Sequence, residues 1–156
     1  FGLAFHKNSY VGRTFIKPKQ SDRESSVKIK LNVLREAVAG KRVIMIDDSI
    51  VRGTTSDRIV KMLRDAGATE VHMRVSSPPF LWPCYFGTDV PAREQLIAYN
   101  RTVEEIRQVI GADSLGYLDC SRLRQMAGDL PICTGCFTGN YPLDPPMEDI
   151  RGEFEQ

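Results

Sequence analysis

The chain has 156 residues, 42% of them hydrophobic and 26% charged, with a formal net charge of +1. That length suits one ordinary hydrophobic core, and the balanced charge argues against a general nucleic-acid or membrane-surface role. No apolar run approaches the roughly 20 residues that span a bilayer, so the cytoplasm is the expected compartment.

In chain order, residues 3–7 read as a short strand and 14–16 as another extended piece. Between Lys17 and Lys30 the sequence turns polar and charged, with little apolar surface to hold it down, which predicts a mobile loop. Residues 27–33 suit a strand and 34–39 a turn of helix closed by Gly40. The apolar run from Arg42 to Ile46 reads as a central, buried parallel strand. Residues 54–66 follow as an amphipathic helix with Ile59, Val60 and Leu63 on its apolar stripe, and Glu70 to Val75 as a second parallel strand. Residues 76–91 are loop-rich. Residues 94–99 and 103–110 suit helices, the latter opened by a capping box at Thr102 and Glu105. Residues 115–118 suit a strand, and Ser121 a cap for a helix over 122–127. From Leu130 onward the pattern is irregular, and 144–156 reads as a disordered acidic tail.

The segment 43–55 carries the chemistry. Four apolar residues run into Asp47 and Asp48, then into a small-residue turn, Ser49 to Thr55, that contains Gly53. Ligands of α/β sheets bind beyond the carboxyl ends of the strands. Here the turn can aim backbone N–H groups and hydroxyls at a phosphate, and the following helix adds a partial positive charge. The carboxylates stand where they can hold sugar hydroxyls or a magnesium ion. No Lys follows Gly53, which excludes a Walker A loop, and a lone glycine excludes the G-x-G-x-x-G fingerprint. Acidic residues directly before a phosphate loop suit a phosphorylated sugar.

Four cysteines without secretory features read as metal ligands or free thiols. Cys133 and Cys136 have metal-ligand spacing, and with Cys84 and Cys120 they leave zinc or a [4Fe–4S] cluster open. Lone His6 and His72 suit structural positions better than catalytic ones, and Trp82 suits packing.

Residues 43–55 resemble the phosphoribosyl pyrophosphate (PRPP) signature of type I phosphoribosyltransferases. The longer run from Arg42 to Pro79, with Ser76-Ser77-Pro78-Pro79 after the loop, is closer still to the glutamine PRPP amidotransferases. So are Lys7 to Ile16 and the tail Cys133 to Pro142. The resemblance covers nearly the whole chain. It implies an α/β fold of the type I phosphoribosyltransferase kind, a Rossmann-like parallel sheet flanked by helices, truncated at its N-terminus and followed by an irregular Cys-containing segment. Residues 1–119 would be the partial phosphoribosyltransferase domain, with a mobile loop over about 7–30, and 120–156 the cluster-binding segment and tail. The chain opens on Phe1, and nothing in it matches the family's glutaminase domain or its upstream pyrophosphate-binding stretch, so a fragment inactive by itself is expected.

The implied reaction is displacement of pyrophosphate from PRPP by glutamine-derived ammonia, giving 5-phosphoribosylamine. In it Asp47 and Asp48 hold the ribose hydroxyls or Mg2+. Ser49, Ile50, Val51, Arg52, Gly53, Thr54 and Thr55 cradle the 5′-phosphate, and Lys30 adds a PRPP contact. Lys7, Tyr10 and Arg13 belong to a lid that neutralises the departing pyrophosphate and keeps water from an oxocarbenium-like transition state. The resemblance to the iron–sulfur branch makes Cys84, Cys133 and Cys136 ligands of a structural [4Fe–4S] cluster whose fourth ligand lies upstream, and leaves Cys120 outside it. Purine nucleotides as feedback inhibitors and a homo-oligomer are implied as well. The other readings are a base-salvaging type I phosphoribosyltransferase, which would lack the Cys-x-x-Cys tail, and a non-catalytic PRPP or nucleotide sensor, which would have lost the basic lid residues.

Overall fold

The computed structural model describes residues 1–7, 31–86 and 92–144. Strand β1 (Phe5–Lys7) pairs antiparallel with β2 (Leu31–Val33), and helix α1 (Arg35–Val38) follows. Strand β3 (Arg42–Asp47) leads through a loop into α2 (Thr54–Asp65), and β4 (Glu70–Val75) returns parallel to β3, Arg42 opposite Glu70 and Asp47 opposite Val75. After a 3₁₀ turn at Arg93–Gln95 come α3 (Val103–Val109) and β5 (Ser114–Tyr117), which pairs parallel with β4. Helices α4 (Cys120–Ala127) and α5 (Gly135–Thr138) complete the described chain.

The β–α–β–α–β order produces the expected three-stranded parallel sheet flanked by helices. Ile59, Val60 and Leu63 of α2, with Ile106 and Ile110 at α3, pack against Val71, Met73 and Val75 of β4. This apolar burial, at ~25 cal/mol per Å2, is the main force holding helices to sheet. Arg64 adds a tie across the layer, bonding Asp113 Oδ2 (2.9 Å) and the Gly111 carbonyl (2.9 Å).

Two expectations for β3 need correction. Its partner lies on one side only among the described residues, in the order β3-β4-β5, so it is an edge strand there and not a central one. It also alternates: Val43, Met45 and Asp47 face the helices, while Ile44 is 66% and Ile46 76% exposed. The continuous apolar run therefore does not signal burial on both faces among the described residues, because helices cover one face alone.

Other differences are local. Residues 94–99 do not form a helix, because the Ile97 amide donates to the Val51 carbonyl (2.8 Å) and not to an upstream turn. Asp119, not Ser121, caps α4 by accepting from the Ser121 amide (2.8 Å). The tail contains the short helix α5 where irregular chain was expected. The capping box at Thr102 and Glu105 is present in full. His72 is satisfied between Ser114 Oγ (2.9 Å) and Glu70 Oε2 (2.8 Å), as a structural histidine should be. The extended piece at 14–16, most of the loop over 7–30 and most of the acidic tail lie outside the described residues.

Candidate functional site

Strand β3 ends at Asp47, and the chain leaves the sheet there. In a strict strand, adjacent side chains point to opposite faces. The departure from strand geometry at Asp48 is what leaves two consecutive carboxylates at one strand tip. Asp47 Oδ1 accepts from the Asp48 amide (3.0 Å), and Asp48 Oδ1 accepts from Ser49 Oγ (2.9 Å). Asp47 is half-buried, and that burial lifts its pKa above the ordinary value of 3.8. The Asp48 amide opposes the shift and the neighbouring Asp48 charge adds to it. Asp48 itself is exposed.

Beyond the carboxylates, the side chain of Ile50 is anchored in the core at 1% exposure, and Val51 is half-buried. The chain then turns at Gly53, whose φ of 81° lies in the left-handed region that glycine adopts without strain. A Cβ at Gly53 would fall within the van der Waals envelope of Ile97 Cδ1 and push that methyl aside, so packing adds to the conformational preference for glycine. Helix α2 begins at once, with Thr54 and Thr55 exposed and Ser56 buried. Among the described residues, the amides of Val51, Arg52 and Gly53 make no main-chain hydrogen bond. Amides so placed at the N-terminus of a 12-residue helix can attract an anion through their backbone dipoles, with two hydroxyls beside them. The Arg52 side chain is exposed and is held by Gln95 Oε1, 3.3 Å from Nε and 3.2 Å from Nη2.

Of the expected lid residues, Lys7 ends β1, opposite Leu31. Tyr10, Arg13 and Lys30 lie outside the described residues. Sequence reasoning missed Gln95 and Ile97, which touch the loop from a segment more than 40 positions away. Their only local signal is the short apolar run from Leu96 to Ala98, buried as a unit.

The cysteines form a second constellation. The Leu81 and Trp82 amides both donate to the Cys136 carbonyl (2.9 and 3.0 Å), and Tyr141 Oη donates to the Pro83 carbonyl (2.7 Å). These bonds lay the tail against the Pro-rich segment, where Phe80 stacks on Phe137 with ring centroids 5.0 Å apart. Trp82 packs here, under the Arg93 guanidinium (3.5 Å to the ring centroid) and against Gly139, where a Cβ would strike the indole. Cys84 and Cys136 share one hydrophobic cluster with Phe80, Leu96 and Val51. Burial pushes the Cys136 thiol up to about 11, and Cys84, Cys133 and Cys120 each raise it further. All four thiols thus lie in one electrostatic neighbourhood. Among the described residues, no three His, Cys, Asp or Glu side chains are arranged so that they could hold a metal ion.

Known proteins share this sequence over nearly its whole length. The chain is 56% identical over 149 residues to the amidophosphoribosyltransferase of Archaeoglobus fulgidus, covering 93% of this chain and 33% of that protein. It is 56% identical over 152 residues to the enzyme of Synechococcus elongatus, covering 95% and 30%. The chain resembles one segment of the amidophosphoribosyltransferases. It spans about a third of the length of these relatives. A solved glutamine PRPP amidotransferase from B. subtilis, complexed with ADP and GMP, superposes with a TM-score of 0.78 at 52% identity. That match covers 94% of this chain and 34% of the B. subtilis chain. A structure described as the allosteric regulatory enzyme of purine biosynthesis matches equally well, with a TM-score of 0.78, 52% identity, and coverage of 94% and 33%. No family model matches the chain. Among the described residues, no helix is long and apolar enough to cross a membrane.

Proposed function

We propose that this amidophosphoribosyltransferase segment binds PRPP and carries the phosphoribosyl-transfer half of the full-length enzyme. Ammonia released from glutamine attacks ribose C1 as the C1–O bond breaks. Pyrophosphate leaves with the bonding electron pair, the nitrogen loses a proton, and 5-phosphoribosylamine results, the first committed step of purine synthesis. One observation carries the reading: two consecutive carboxylates at the tip of β3 run directly into a left-handed glycine turn with free amides at the start of α2.

Each part has a task. The Val51, Arg52 and Gly53 amides and the Thr54 and Thr55 hydroxyls bind the 5′-phosphate, while Asp47 and Asp48 accept from the 2′- and 3′-hydroxyls or hold Mg2+. When bound, Mg2+ supplies positive charge against the pyrophosphate. Lys7, Tyr10 and Arg13 are the proposed residues that neutralise the departing pyrophosphate. Purine nucleotides are proposed inhibitory ligands, a reading supported by the ADP and GMP complex of the B. subtilis relative. A cytoplasmic homo-oligomer is the proposed setting.

The thiols suit a [4Fe–4S] cluster by donor chemistry, since thiolates are its usual ligands. Among the described residues no three such side chains are placed to hold a metal ion, so the reading rests on donor chemistry and on the Cys-x-x-Cys spacing. Cys84, Cys133 and Cys136 would hold it. Such a cluster supplies a structural cross-link, because glycosyl transfer moves no electrons.

The test is ammonia-dependent consumption of PRPP by the full-length protein. Asp47→Asn and Asp48→Asn together should lower kcat/KM for PRPP at least about 100-fold, on the scale of losing charge-assisted contacts. Unchanged kinetics would overturn the reading.

A further inference from the structure

The segment Gln95–Ile97 grips the glycine loop at three points. The Ile97 amide donates to the Val51 carbonyl at 2.8 Å. Its side chain, 4% exposed, fills the space beside Gly53 so closely that a Cβ there would have to displace its Cδ1 methyl, and the Ile110 Cγ2 methyl closes the same space from behind. Gln95 Oε1 accepts from two nitrogens of Arg52. None of these contacts involves the free amide edge of the loop. They hold its carbonyl side, its core side and its one long side chain, and leave the three amides without a main-chain acceptor among the described residues. Ile50, buried in the core, and the Asp57 amide, which donates to the Gly53 carbonyl (2.9 Å), anchor the rest of the loop.

We infer that Ile97, with Gln95 beside it, is a positioning residue for phosphoryl-sugar binding: it holds Gly53 in its left-handed turn and so keeps the loop amides preorganised for the 5′-phosphate. The inference rests on the PRPP-site reading above and adds to it a buttress distant in sequence. Preorganisation lowers the ordering cost of binding. Loss of the buttress should therefore raise the KM for PRPP more than it lowers kcat.

The test uses the full-length enzyme and compares Ile97→Ala with Val71→Ala. Val71 is equally buried but is the second residue of β4, about 13 Å along the sheet from that strand's loop end. Both variants should melt earlier than wild type. Ile97→Ala should raise the KM for PRPP about 5- to 10-fold with kcat within about twofold, and Ile97→Val, which keeps Cγ1 but loses the Cδ1 methyl beside Gly53, should recover only part of that, while Val71→Ala leaves KM within about twofold. Gln95→Ala should raise KM by a smaller factor with no change in melting. An unchanged KM in Ile97→Ala, or an equal rise in Val71→Ala, overturns the positioning role. The paired aspartate substitution separates the two layers. If it leaves PRPP use intact, the site reading itself fails. If it abolishes PRPP use and Ile97→Ala leaves KM unmoved, the buttress alone fails.

Discussion

Ser76 holds Asp47 by its carbonyl and leaves its carboxylate alone: the Ser76 amide and hydroxyl both donate to the Asp47 main-chain oxygen, at 2.9 and 3.2 Å. The residue that follows β4 thus fixes the end of β3. It sets the point at which the chain turns out of the sheet with both carboxylates at the strand tip.

Ser76→Ala removes one of these two bonds and keeps the other. Because the site is exposed and the amide bond remains, the cost should be about 1 kcal/mol or less, read as a small fall in denaturant midpoint. The KM for PRPP should rise a few-fold as the strand end loosens. A fall in stability with no change in KM would confine Ser76 to the fold.

Asp47 should make stability depend on pH. Its carboxyl is raised in the folded state, chiefly by burial. Its contribution is therefore full below the unfolded value, about 3.9, and is lost as pH rises through the raised folded value. Asp47→Asn should remove that loss, so the ligand-free variant should gain melting temperature over wild type at neutral pH and gain less at pH 4. Added PRPP and Mg2+ should reverse the order at neutral pH, since the wild-type site uses the charge. Thermal melts of both proteins at the two pH values, with and without ligand, check this.

The Tyr117 hydroxyl is buried without a hydrogen-bond partner among the described residues, and burial pushes its pKa up to about 12. An unsatisfied buried hydroxyl costs roughly 1–3 kcal/mol. Tyr117→Phe should therefore leave stability unchanged or increase it. A loss of more than about 1 kcal/mol would mean that the hydroxyl has a partner in the full-length protein.

Iron content should separate the thiols. In anaerobically prepared full-length protein, Cys84→Ser, Cys133→Ser or Cys136→Ser should each lose most of the bound iron, while Cys120→Ser keeps it. Zinc in the wild type, or iron loss on Cys120→Ser alone, would contradict the proposed ligand set.

Much of this site was legible because its determinants are contiguous. The apolar run, the two aspartates and Gly53 lie within 13 residues, and each element type follows from periodicity, capping and the needs of a left-handed turn. The Thr102 capping box was equally local. What escaped was non-local. The residues 94–99 carry helical spacing, yet Ile97 spends its amide on Val51 and Leu96 is drawn into the cluster around Cys84 and Cys136. Tertiary contacts overrode propensity there. The exposure of Ile44 and Ile46 escaped for another reason: an apolar run reports what a strand can bury, not which of its faces is covered.

The central claim is that the amides between β3 and α2 receive a phosphate. Amide hydrogen exchange on the full-length enzyme, with and without PRPP and Mg2+, tests it at the residues concerned. The account predicts slowed exchange at Val51, Arg52 and Gly53 when ligand is present, and no such change in the Asp47→Asn, Asp48→Asn double variant. Saturating PRPP that left exchange at these three amides unaltered, while protecting another part of the molecule, would contradict it.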